Sequence, residues 1–109
     1  MIVDVGANMS VTTDALQNVT AFNINAGKTL TIDSDKVSAK TVTGDGAMIV
    51  NIGTDNFNLA NVAGTVSSSG TVTGNTTLHG SANLGTLTTT VNNSVTLQLL
   101  GTQADGKTI

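Results

Sequence analysis

Apolar residues along this chain alternate with Thr, Ser and Asn in short runs. The runs fall on four successive lines that begin alike, near Leu16, Val37, Leu59 and Leu84, with a fifth begun at Ala104. The lines read LQNVTAFNINAGKTLTI, VSAKTVTGDGAMIVNI, LANVAGTVSSSGTVTG and LGTLTTTVNNSVTLQL, and their starts are 21, 22, 25 and 20 residues apart. Alternation with a period of two predicts strands that turn one face inward. A repeat in the low twenties built from such strands predicts a solenoid, because no coil can bury its apolar side without its neighbours. Several columns support the alignment. The third position after each start holds Val19, Lys40, Val62 and Leu87, and later come the pairs Leu30 with Ile32, Val50 with Ile52, Val72 with Gly74 and Leu97 with Leu99.

The expected fold is therefore all-β: a parallel β-solenoid (β-helix) of about four to five coils of 20–25 residues, with 1–109 as a single repeat domain. The alternative is an antiparallel β-sandwich of the adhesin-repeat kind, since short strands spaced by turn signals suit that architecture too. A sandwich core normally has an aromatic anchor, and Phe22 and Phe57 are the only aromatic residues here. Two echoes extend the pattern. Met48-Ile49-Val50-Asn51-Ile52-Gly53 repeats the opening Met1-Ile2-Val3-Asp4-Val5-Gly6, and Lys-Thr-apolar recurs at Lys28, Lys40 and Lys107, the last in register with the second. On that alignment the chain starts late in one coil and stops early in another, as a fragment of a longer solenoid would. Strand edges open at both ends would then be templates for end-to-end stacking.

Composition sharpens the core. Twenty Thr and twelve Val favour strands, because β-branched side chains are stiff at χ1 and pack well on a pleated surface. Twelve glycines and no proline fit strands hydrogen-bonded on both edges and turned at glycine corners, among them Gly44-Asp45-Gly46, whose backbone calls for a positive φ. No helix is expected.

Seven Asp and four Lys, with no Glu and no Arg, give a net charge of −3. Phosphate backbones are bound by clustered cations and stacked aromatics, so nucleic acid is not an expected partner. The longest apolar run, Met48-Ile49-Val50, is far short of a membrane span, and no signal-peptide pattern opens the chain. The low charge, the absence of cysteine and the abundance of Asn, Ser, Thr and Gly point to an extracellular or cell-surface location.

The inventory of chemistry is short. His79 is the only imidazole, and the line from Leu59 to Asn83 that carries it has no Asp to orient it, so a Ser-His-Asp arrangement is not expected and no catalytic residue is assigned. The acids are scattered over corners and lack the pairing that carboxylate catalysis needs. No metal or cofactor residue is assigned either. Calcium is the one cation left open, at Asp33, Asp35, Asp45, Asp55 or Asp105. Asp33-Ser34-Asp35 opens like a calcium loop, but Ser38 and Gly44 stand where that loop needs Gly and Glu. Each Asp reads more simply as a turn former. The Asn-x-Ser/Thr triplets at Asn8, Asn18, Asn75 and Asn92 are what this composition produces by chance.

Flat Thr-x-Thr faces on solenoids can order water, provided that the motif stacks coil on coil. One column would place Thr41-Val42-Thr43 and Thr88-Thr89-Thr90 together, with Ala63-Gly64-Thr65 between them and Thr20-Ala21-Phe22 before. A second would align Thr29-Leu30-Thr31, Ile49-Val50-Asn51, Thr71-Val72-Thr73 and Thr96-Leu97-Gln98. Each is interrupted in two of its four coils.

The phrases GKTLTIDSDKVSAKTVTGDG and QADGKTI resemble the Thr/Val/Gly-rich repeats of very large bacterial surface proteins and adhesins. The resemblance is one of repeat style over the whole chain, and no functional residue transfers from it. It implies an exported stalk, filament or S-layer segment. The expected function is a non-catalytic structural repeat module whose partners are neighbouring repeats or copies of itself. The alternative is a binding module that uses a Thr-rich flat face for carbohydrate, ice or a host molecule.

Overall fold

The computed structural model describes residues 1–11 and 18–109. The chain winds as a parallel β-solenoid of about five turns. Among the described residues three sheets run along it. The first holds β1 (Ile2–Val5), β3 (Ala21–Ile24) and β5 (Thr41–Gly44). The second, of five strands, holds β2 (Met9–Val11), β4 (Thr29–Asp33), β6 (Ala47–Ile52), β7 (Ser67–Val72) and β9 (Thr88–Val91). The third pairs β8 (Thr76–Thr77) with β10 (Leu97–Gln98). All pairings among these strands are parallel, which removes the antiparallel sandwich.

Period-two alternation gives the core its columns. Val3, Phe22 and Val42 stack inward on the first sheet and are continued by a bridge from Val42 to Val62. On the second sheet, Val11, Ile32, Val50, Gly70 and Thr89 form one inward column, and Met9, Leu30, Met48 and Ser68 form another. Phe22, Ile24, Leu30, Ile32, Met48, Val50, Phe57 and Leu59 are sealed from solvent. Each buried side chain of this size contributes roughly 1.5–3 kcal/mol relative to exposure.

The register differs from the one read off the sequence by two residues in several places. Phe22 lies beside Val42 and Val42 beside Val62, so Val62 does not follow Lys40 and Val19. Likewise Leu30 pairs with Met48, and Ile32 with Val50. A slip of two keeps every apolar residue pointing inward, so alternation cannot detect it; only the corners fix it. The bridge from Asn58 to Asn83 does put Leu59 and Leu84 in one register, as expected, whereas the line start near Leu16 lies outside the described residues. Neither echo holds. Ile2–Val5 belongs to the first sheet and Ala47–Ile52 to the second. Thr41 pairs with Ala21, while Thr108 bridges Thr88 on a different sheet.

One corner shows how the turns are set. Gly44 has φ +104, and a Cβ there would overlap the Ile24 carbonyl oxygen, which the Gly46 N–H approaches at 3.0 Å. Only glycine serves at such a left-handed, crowded position.

Two helical turns were not expected: α1 (Ser34–Val37) and α2 (Gly101–Ala104). In α1 the three-residue spacing of Ser34 and Val37 puts both on the inward side, at 1% and 0% exposure, so one helical turn fills the corner that a strand would leave open.

Candidate functional site

Among the described residues the five-stranded sheet has the most strands, and its outward side is a regular surface. Because successive residues alternate, the same ladders that stack Val11, Ile32 and Val50 inward stack their neighbours outward. The central outward column runs Ser10, Thr31, Ile49, Ser69 and Thr88, and the bridge to Thr108 continues it. One flanking column holds Thr29, Ala47 and Ser67, and the other holds Asp33, Asn51, Thr71 and Thr90. Neighbouring positions are about 4.8 Å apart across strands and roughly 6.7 Å apart along them. Hydroxyls on such a grid can hydrogen-bond to one another or to an ordered partner. Ile49, 38% exposed, interrupts the central column.

Neither Thr-x-Thr column read from the sequence exists in this form. Thr41 and Thr43 lie on the first sheet and Thr88 to Thr90 on the second. Thr29 and Thr31 face Ala47 and Ile49, and Leu97 pairs with Thr76 on the third sheet. The column that does form was hidden by the two-residue slip between Thr31, Ile49 and Ser69 and by a slip of six between Ser69 and Thr88.

Of the described Asp residues, Asp4 lies within β1, and Asp33 and Asp35 stand at the corner formed by α1. Asp33 accepts a hydrogen bond from the Asn51 side chain at 3.2 Å, and with Asp35 and Thr54 it lines a shallow cleft of about 260 Å³. Ser34, between the two acids, turns inward, and its hydroxyl lies 2.9 Å from that of Thr54. Asp45 lies in the turn after β5, and Asp105 ends α2. Among the described residues no three His, Cys, Asp or Glu side chains converge as a metal-ligand set.

His79 is exposed at a corner. Its Nδ1 accepts the Ser81 backbone N–H at 3.2 Å and lies 2.8 Å from the Ser81 hydroxyl, which also donates to the Asn56 side-chain oxygen at 3.3 Å. A nucleophile needs its base oriented by a third group. Here the third group, Asn56, contacts the hydroxyl and not the imidazole, so the cluster is a hydrogen-bonded turn.

The asparagines, passed over in the sequence, do more than the acids. Asn8 accepts the Thr29 backbone N–H at 3.0 Å and Asn75 accepts that of Thr96 at 2.8 Å, each across 21 residues. Asn58 and Asn83, bridged to each other, accept the N–H groups of Ala60 and Gly85 at 2.9 and 2.8 Å. The recurrence of an Asn one coil-length before a Thr was the signal available for the first pair.

Comparison of the chain with protein-family models, curated proteins and solved structures found no match.

Proposed function

We propose that this chain is a non-catalytic structural repeat module of an exported bacterial surface, adhesin or filament protein, supplying a stiff, chemically quiet length of solenoid. The observation that carries this reading is the use made of the polar side chains. The groups with most to offer a ligand, Asn8, Asn51, Asn75, Asp33 and Gln103, are engaged in bonds between one coil and the next. The composition supports an oxidising, extracellular setting, where a protein without cysteine has no thiol to oxidise.

The second reading, a binding module, is favoured by one observation: Ser10, Thr31, Ser69 and Thr88 stand in one outward column, broken by Ile49, and such a row of small hydroxyl residues would suit carbohydrate, ice or a host molecule. Retention on insoluble polysaccharides and in growing ice, for the wild type and for Thr31→Lys and Thr88→Lys, separates the two. A structural module shows no saturable retention. Retention on one material that both lysine variants abolish would overturn the structural reading in favour of the binding one.

A further inference from the structure

We infer that the edge of β8 facing the preceding coil takes up one extended strand of a second protein chain, a short segment of small residues that carries a lysine or arginine. Such a contact would tie a repeat module to a neighbouring chain and goes beyond the structural reading above.

The edge lies inside the molecule, where the coil widens. The coils that carry β6 and β7 run together as far as the pair Ile52 and Val72, and they meet again where the His79 N–H donates to the Asp55 carbonyl at 2.6 Å. Gly53 and Thr54 alone span that interval on the first coil, whereas residues 73–78 span it on the second. The longer excursion contains β8, and the next coil follows it with β10. Among the described residues β8 therefore has a strand on one side and none on the other. The space left beside it is an open cleft of about 520 Å³ lined by Gly53, Thr54, Asp55, Asn75, Thr76 and Thr77.

The direction of the backbone suits this edge to pairing. In a parallel ladder the N–H and C=O of one residue point to the same side and those of the next residue to the other. Thr76 and Leu78 donate to the Thr96 and Gln98 carbonyls at 2.9 and 2.8 Å, so they face β10. Thr77 is turned the other way, as His79 is, but among the described residues no backbone group of the preceding coil meets it. A parallel strand in the cleft, at the usual spacing of about 4.8 Å, supplies a carbonyl to the Thr77 N–H and an N–H to its C=O. No proline or lysine guards residues 73–78 against such addition.

Size and charge describe the guest. The floor at Gly53 is open, with nothing within 4 Å of a Cβ built there. Asp55 lines the cleft, and Gly53 and Thr54 also line the adjoining cleft that holds Asp33 and Asp35; no lysine lines either. A cation on the added strand is attracted to this side of the molecule and an acid is repelled.

The probe is a blocked synthetic pentapeptide, Thr-Val-Lys-Thr-Ser, titrated into the isotope-labelled protein and followed by NMR. The Thr77 amide is expected to shift saturably, with a Kd on the order of 1 mM, and to exchange more slowly with solvent. The same peptide with Glu for Lys, and a fully N-methylated version, should each bind about tenfold more weakly or worse. Thr77→Pro removes an N–H that no ladder of the fold uses, and Gly53→Leu fills the floor; each is expected to keep a folded spectrum and to weaken binding by about tenfold. Absence of a saturable shift at Thr77 overturns the inference, as does equal binding of the N-methylated peptide, which would mean charge attraction alone. Shifts centred on Ile49 and Ser69 of the side wall overturn it too. Each of these leaves the structural reading standing, since that reading fails only on retention by polysaccharide or ice.

Discussion

The side chain of Gln103 reaches back 24 residues to donate a hydrogen bond to the carbonyl oxygen of His79 at 2.7 Å. It also donates to the Ala82 carbonyl at 3.1 Å and, through its own oxygen, accepts the Leu100 N–H at 2.9 Å. One buried side chain therefore fixes α2 to the coil before it. Gln103→Ala leaves two carbonyls and an N–H without these partners, each worth roughly 1–3 kcal/mol if it stays buried. The expected result is a lower Tm with hydrogen exchange accelerated first over 97–109, measured by mass spectrometry.

Thr89 carries the opposite defect. It is 3% exposed, stands in the inward column after Gly70, and its hydroxyl is buried with no hydrogen-bond partner among the described residues. Valine has the same shape without the polar atom, so Thr89→Val should stabilise the protein by about 1 kcal/mol, seen as a higher urea midpoint at an unchanged slope.

Gly44 and Gly53 form a matched pair of tests. Gly44→Ala meets both a positive φ and the Ile24 backbone and should lose upwards of about 2 kcal/mol, whereas nothing lies within 4 Å of a Cβ at Gly53, where Ala should stay within about 0.5 kcal/mol of wild type. Equal losses in a thermal melt would mean that the Gly44 corner relaxes.

Calcium is expected to leave the Tm unchanged against a chelator, because Asp33 is spent on Asn51 and among the described residues no three acidic or imidazole side chains converge. Any ion that bound the native state alone would raise it by mass action, so a concentration-dependent rise that Asp33→Asn and Asp35→Asn remove would place a cation at that cleft.

The class of fold was legible because Val, Leu and Ile recur on alternate positions of runs about twenty residues apart, and a parallel solenoid turns that recurrence directly into buried columns. The register was not. Lys40 and Val42 are two residues apart, so alternation alone accepts either in the column, and the choice between them is made by Gly44, by Ala39 at φ +63 and by the helical turn of α1, whose lengths no periodicity encodes. For the same reason the outward hydroxyl column was missed while its constituent residues were noticed. His79 stands exposed beside Ser81 and Asn56, a placement that alternation along its line does not encode. The tying role of Asn8 and Asn75 left only a distant trace, an Asn one coil-length before a Thr, since a side chain bonding to a backbone one coil away leaves no local pattern.

The spacing of the ladders has a consequence for how the chain folds. Phe22 meets Val42 after 20 residues, Leu30 meets Met48 after 18, and Ser69 meets Thr88 after 19. The loops closed range from 18 residues to the 25 between Asn58 and Asn83, and since the entropy of closure grows only slowly with loop length, the cost of adding a coil does not grow with the number already formed. A chain of this design can be lengthened by duplication without making its folding a search over ever more distant contacts, which is the difficulty that slows most β architectures.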